Sequence, residues 1–161
     1  MKITYLLAAP VALLAAIPAM AQVMTPADYV KTAGASDLFE RQSAQSVLQT
    51  TANADVRAFA EMMLSAHAQS TADVKAAATK SKVAVAPPML MPLQAEMIAQ
   101  LNDETGTARD AAYIAQQKAA HNQALNVQKA YAMEGTAPAL KAAAGKIVPV
   151  VQGHIAMLMK M

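Results

Sequence analysis

Three histidines, His67, His121 and His154, and one glutamate, Glu40, are the residues of this 161-residue chain whose types and spacing could do chemistry together. Neutral imidazoles and one carboxylate satisfy a borderline divalent ion such as zinc, iron, manganese or copper. Taken one at a time, each imidazole reads more simply as a semi-buried side chain satisfied by a carbonyl, a carboxylate or water. A second, softer donor set is Met157, Met159 and Met161, three of the twelve methionines. Thioethers favour Cu(I). Against that, methionine commonly fills irregular helical cores, and residues two apart on a helix do not share a face.

The histidines are far apart in sequence, so long elements must bring them together. Alanine, leucine, methionine, glutamine and lysine dominate and alternating β-branched runs are nearly absent, which predicts an all-α domain. A first helix starts at Thr25-Pro26-Ala27-Asp28, with Thr25 as cap, and Gly34 with Ser36-Asp37 should kink or restart it before it ends near Thr50. A second begins near Asn53 and ends around Ser81. The segment Val83 to Pro92 holds adjacent Pro87 and Pro88 and should be extended. A short helix follows from Leu93 to Glu104. A third long helix, capped by Thr107, runs to about Met133 with Gly135 as its stop, and a fourth runs from Ala137-Pro138 to the C-terminus with a bend at Pro149.

About ten extended residues at roughly 3.1 Å each span some 31 Å, close to the length of a long helix. The connector can therefore cross a whole bundle, and the expected architecture is a ferritin-like four-helix bundle of two hairpins joined by a Pro-rich crossover. One histidine then falls on each of the second, third and fourth long helices and Glu40 on the first. Glu40, His67 and His121 sit near the middle of their segments and should share one level. His154 lies roughly 8 Å of rise past its helix midpoint, a difference that stagger or the Pro149 bend must absorb.

The helical stripes agree with inward histidines. His67 aligns with Phe59, Met63 and Val74, and His154 with Ile147, Val150, Val151, Leu158 and Met161. His121 shares a more mixed face with Ile114, Gln117, Leu125 and Gln128. The acids Asp37 and Glu40, three apart, also read as a solvated helix face.

Phe39-Glu40, Met62-Met63-Leu64-Ser65-Ala66-His67, Tyr113-Ile114 with His121, and Ile147-Val148-Pro149 with His154 resemble the markers of a bacterial exported family. It is the domain-of-unknown-function 4142 family, whose members are often labelled outer-membrane or periplasmic proteins. The resemblance covers about Thr25 to Met161. It implies a ferritin-like helical bundle with Glu40, His67, His121 and His154 at recurring positions, and no established reaction. The di-iron signature of a glutamate three residues before a histidine is not reproduced, since Leu64, Lys118 and Val151 occupy those places.

Lys2, an apolar stretch from Ile3 to Ile17 and the small-residue site Ala19-Met20-Ala21 are written as an export signal, so residues 1–21 are expected to be cleaved and residues 22–161 to form one domain. The apolar stretch is shorter than the roughly 20 residues of a spanning helix, and no later segment replaces it. The absence of cysteine excludes a lipid-anchored thiol, disulfides and thiolate sites. A net charge of +2 with two Phe, four Tyr and no Trp gives neither the basic patch nor the stacking platforms of a nucleic-acid binder. Scattered glycines write no phosphate loop, and no serine stands in a nucleophile elbow.

The expected protein is periplasmic or secreted, or peripheral to the outer membrane, and a non-enzymatic binding or envelope-stress-related bundle with a divalent transition metal or small ligand between helices. Its competitors are a metal-dependent enzyme using the His/Glu cluster and a ligand-free module docking to envelope partners.

Overall fold

The computed structural model describes residues 23–161, and the expected export signal with its cleavage after Ala21 lies outside the described residues. Among these there are five helices and no strand: α1 (Pro26–Leu48), α2 (Ala54–Lys80), α3 (Pro92–Asp103), α4 (Gly106–Glu134) and α5 (Pro138–Leu158). No helix among them is long and apolar enough to cross a membrane.

The helix ends follow local chemistry. Thr25 Oγ1 accepts the Asp28 N–H at 3.1 Å and Pro26 opens the first turn of α1. Asn53 Oδ1 accepts the N–H groups of Asp55 and Val56 at 2.9 and 3.3 Å, which caps α2. At the other end of α2 the chain reverses through Lys82, with φ of 55°. The Val83 N–H then reaches Ala78 O at 2.9 Å and the Lys82 N–H reaches Thr79 O at 3.1 Å, the two bonds of a Schellman cap. Val83 itself packs against the apolar cluster that includes Tyr29.

Two local expectations are corrected. α1 is unbroken through Gly34, Ser36 and Asp37, because its whole length packs on α2 and tertiary contact outweighs weak local propensity. Gly34 instead leaves room for the connector: a Cβ there would stand 3.3 Å from the Pro88 Cβ. Thr107 lies inside α4, whose cap is Thr105, and the Gly106 N–H donates to Thr50 Oγ1 at 3.2 Å. As expected, α5 continues past Pro149 to Leu158, and the exposed position of the proline lets water reach the carbonyl of Gly145 that its ring leaves without an N–H.

α1 packs on α2 and α4 on α5, while α2 meets α5 and α1 meets α4. The end of α2 returns to the start of α1, and α4 begins beside the end of α1. Each packed pair of long helices is thus antiparallel. The path back along α1 is shared between two segments, not carried by extended chain alone. Residues 83–91 pass Gly34, and α3 completes the crossing, with Leu101 buried beside Val47 and Ser46 Oγ donating to Asn102 Oδ1 at 2.7 Å. Arg109, 4 % exposed, fastens the junction. Its guanidinium donates to the carbonyls of Glu104 and Ser46 at 2.7 Å each and to that of Asn102 at 3.3 Å.

The apolar core is in two parts. One gathers Tyr29, Val30, Val74, Tyr131, Leu140 and Ile147, with the rings of Tyr29 and Tyr131 stacked at 3.9 Å. The other gathers Val47, Val56, Phe59, Met63, Leu101, Tyr113 and Leu158. On every long helix a short polar interval separates them.

Candidate metal centre

That interval holds Asp37, Glu40 and Ser43 on α1, His67 on α2, Gln117 and His121 on α4, and His154 on α5, all buried. An apolar layer above and another below remove these groups from water, so each needs a partner within the layer.

Hairpin register explains why His154 joins His121. Counted from the tight turn between α4 and α5, His121 stands 13 positions before Glu134 and His154 stands 16 positions after Pro138. At about 1.5 Å per residue those distances differ by less than one helical turn. Distance from the turn, and not from the helix midpoint, sets the level, so neither extra stagger nor a bend at Pro149 is required. His121 Nε2 lies 3.3 Å from His154 Nδ1.

His67 completes a cluster in which one ring nitrogen from each of the three histidines lies within 4.8 Å of the other two. Ring centroids are 5.8 Å apart for His67 and His121, 5.9 Å for His67 and His154, and 5.3 Å for His121 and His154. Phe59 closes the apolar side, its centroid 6.1 and 6.4 Å from those of His121 and His154.

Partners on the far sides of the rings fix two orientations. His67 Nδ1 is 2.9 Å from Asp37 Oδ1, while Thr71 Oγ1 stands 2.9 Å from Asp37 Oδ2. His121 Nδ1 is 3.0 Å from the carbonyl oxygen of Gln117, which can only accept, so Nδ1 carries the proton and Nε2 presents a lone pair to the cluster. An imidazole hydrogen-bonded at its outer nitrogen to a carboxylate or carbonyl, with the other nitrogen turned toward the cluster, is the arrangement of a metal-ligating histidine.

Burial and mutual repulsion set the charges. Burial, then the nearby His67 charge, lowers His154 to about 4. Burial with the charges of His67 and His154 lowers His121 to about 3. Burial also pulls His67 down, but its bond to Asp37 and the charges of Glu40 and Asp37 outweigh it and leave the pKa raised. Burial raises Glu40 to about 7, against the pull of His67.

The four residues expected from the sequence are therefore all in the layer, in different roles. His67, His121 and His154 form the cluster, whereas Glu40 lies outside that donor group, with Oε1 3.5 Å from the outer nitrogen of His121. The reading of Asp37 and Glu40 as a solvated face is overturned: they are 4 % and 1 % exposed. Asp37 is the histidine partner that sequence reasoning missed. Its signal was the spacing of three that puts it on the Glu40 face. Val150, placed on the inward stripe of His154, is 48 % exposed, because one position off the stripe turns about 100° around the helix. Of the methionines, Met157 and Met159 are exposed and Met161 packs against the second apolar cluster.

The sequence model of the family described as "Domain of unknown function (DUF4142)" matches residues 10–161, and the chain belongs to that family. No curated protein matches it. Its fold is similar to the crystal structure of a "putative secreted protein DUF305 from Streptomyces coelicolor", with a TM-score of 0.63 over 85 % of this chain and 90 % of that one at 14 % identity.

Proposed function

We propose that this DUF4142 protein is an exported, non-enzymatic binding protein whose residues 22–161 fold as one ferritin-like four-helix bundle and hold a divalent transition metal on His67, His121 and His154. The observation that carries this is the convergence of three buried imidazole nitrogens within 4.8 Å from three different helices. Bonds of about 2.0 to 2.1 Å at tetrahedral angles place neighbouring donor nitrogens about 3.3 Å apart. His121 Nε2 and His154 Nδ1 have that separation.

Several features favour holding an ion over turning over a substrate. The three rings are 6 %, 1 % and 5 % exposed, and apolar layers lie on both sides. An antiparallel arrangement in which the path between α2 and α4 runs the length of α1 supports the ferritin-like topology. Export to the periplasm rests on the Ala19-Met20-Ala21 site, and the similar Streptomyces protein is described as secreted. The Cu(I) alternative at Met157, Met159 and Met161 is weaker, since two of those side chains face outward and the third faces the core.

Metal analysis of the purified protein, with melting curves in zinc, manganese, iron and copper, is the test. A ligand at 100 times its Kd adds about 2.7 kcal/mol, roughly 10 °C for a chain of this size. His67→Ala and His121→Ala should abolish both the bound metal and the shift. Wild-type protein that takes up none of the four metals would leave the histidines as core residues and favour the ligand-free module.

A further inference from the structure

We infer that Glu40 is a positioning residue which, with Asp37, makes the imidazole cluster prefer a divalent cation to a monovalent one. This deepens the metal reading and rests on it.

Two carboxylates lie in one dry layer. Among the described residues, their ion-pair contacts are to histidines alone, Asp37 with His67 at 2.9 Å and Glu40 with His121 at 3.5 Å. Asp37 has a partner at each oxygen, His67 at one and the Thr71 hydroxyl at the other. Glu40 is the opposite case: it is 1 % exposed, and apart from the neighbouring Gln117 amide, which favours its charged form, neither carboxylate oxygen has a hydrogen-bond partner. A buried carboxylate with so little hydrogen bonding is costly to keep in a core. Glutamine would pack in the same volume without the charge.

The position of Glu40 supplies its role. The outer nitrogen of His121 faces two acceptors, the Gln117 carbonyl at 3.0 Å and Glu40 Oε1 at 3.5 Å. A cation bound at Nε2 draws electron density from the ring and strengthens the Nδ1–H as a donor, and a carboxylate accepts such a bond more strongly than a neutral carbonyl. His67 already has this arrangement through Asp37. The cluster thus has a carboxylate behind each of two rings. Their two negative charges match one divalent ion and overcompensate a monovalent one, and their attraction for the ion doubles with its charge.

Titrations of wild type, Glu40→Gln and His121→Ala with Zn²⁺ and with Ag⁺, together with the melting temperature of each metal-free protein, test this. Wild type should prefer Zn²⁺. Glu40→Gln should weaken Zn²⁺ binding about 10- to 100-fold, the usual cost of losing an outer carboxylate. It should weaken Ag⁺ binding much less, and leave the metal-free melting temperature unchanged or raised. An unchanged Zn²⁺/Ag⁺ preference overturns the inference, whether both affinities hold or both fall together. A lowered metal-free melting temperature accompanying the loss of Zn²⁺ overturns it too, since Glu40 would then be a packing residue. If wild type binds neither ion, the metal reading itself fails. If His121→Ala loses Zn²⁺ while Glu40→Gln keeps the wild-type preference, the metal reading stands and only the role of Glu40 is lost.

Discussion

Asp37 Oδ1 and His67 Nδ1 stand 2.9 Å apart across the contact between α1 and α2, both buried, joining the central residue of one helix to the central residue of the next. Asp37→Ala leaves the raised-pKa imidazole of His67 without its acceptor and should destabilise the metal-free protein by about 3–5 kcal/mol. Asp37→Asn, which keeps one acceptor oxygen, should cost less. Urea unfolding of the three proteins at pH 6 measures the difference, and equal midpoints would show that the pair adds nothing to stability.

The same layer predicts a stability maximum close to pH 6 for metal-free protein. His121 and His154 titrate near 3 and 4 when folded, below the ordinary 6.5, so the unfolded chain binds more protons. Their contribution is complete above pH 6.5 and is lost as pH falls toward 4 and 3. Glu40, raised to about 7, and His67, also raised, act with the opposite sign. The Glu40 contribution is complete below its ordinary 4.5 and is lost as pH rises from there through 7, and that of His67 is complete below its ordinary 6.5 and is lost at higher pH. Urea midpoints measured from pH 4 to pH 8 in chelator should fall on both sides. Glu40→Gln should steepen the rise from pH 4.5 to 6 and flatten the fall toward pH 8.

Arg109 donates to three main-chain carbonyls at the junction of α1, α3 and α4. Arg109→Ala should cost about 1–3 kcal/mol, chiefly by leaving the buried Ser46 carbonyl unpaired, since water can reach the other two acceptors. Lysine cannot reproduce the planar fork and should rescue little. Hydrogen exchange should show α3 opening first in both variants, and retention of α3 protection would contradict the fastening role.

Lys82 occupies the left-handed conformation at φ of 55° with its side chain exposed. Glycine tolerates that backbone without the Cβ clash, so Lys82→Gly should stabilise the protein by about 1 kcal/mol. A lowered thermal midpoint would contradict the assigned cap.

Replacing Met157, Met159 and Met161 together by leucine roughly conserves volume. If the imidazoles hold the metal, the triple variant should keep wild-type metal content and helicity. Loss of bound copper in that variant alone would move the site to the thioethers.

Much of this protein is written locally. Thr25, Pro26, Asn53 and Gly135 mark helix ends by their own hydrogen-bonding and backbone preferences, and the helical period around Phe59, Met63 and His67 turns that face inward wherever the helix lies. The presence of a histidine on each of three long helices follows from those boundaries alone.

Only the packed chain decided the rest. Gly34 and Asp37 read as a break because propensity is a weak local preference, and contact with α2 along the whole of α1 overrides it. The level of His154 is a register property, fixed by the short turn after Glu134 that no stripe or midpoint encodes. Asp37 and Glu40 look like surface charges in sequence, since acids are seldom buried. Their burial depends on His67 and His121 arriving from other helices, and that pairing of distant residues exists only once the helices are assembled.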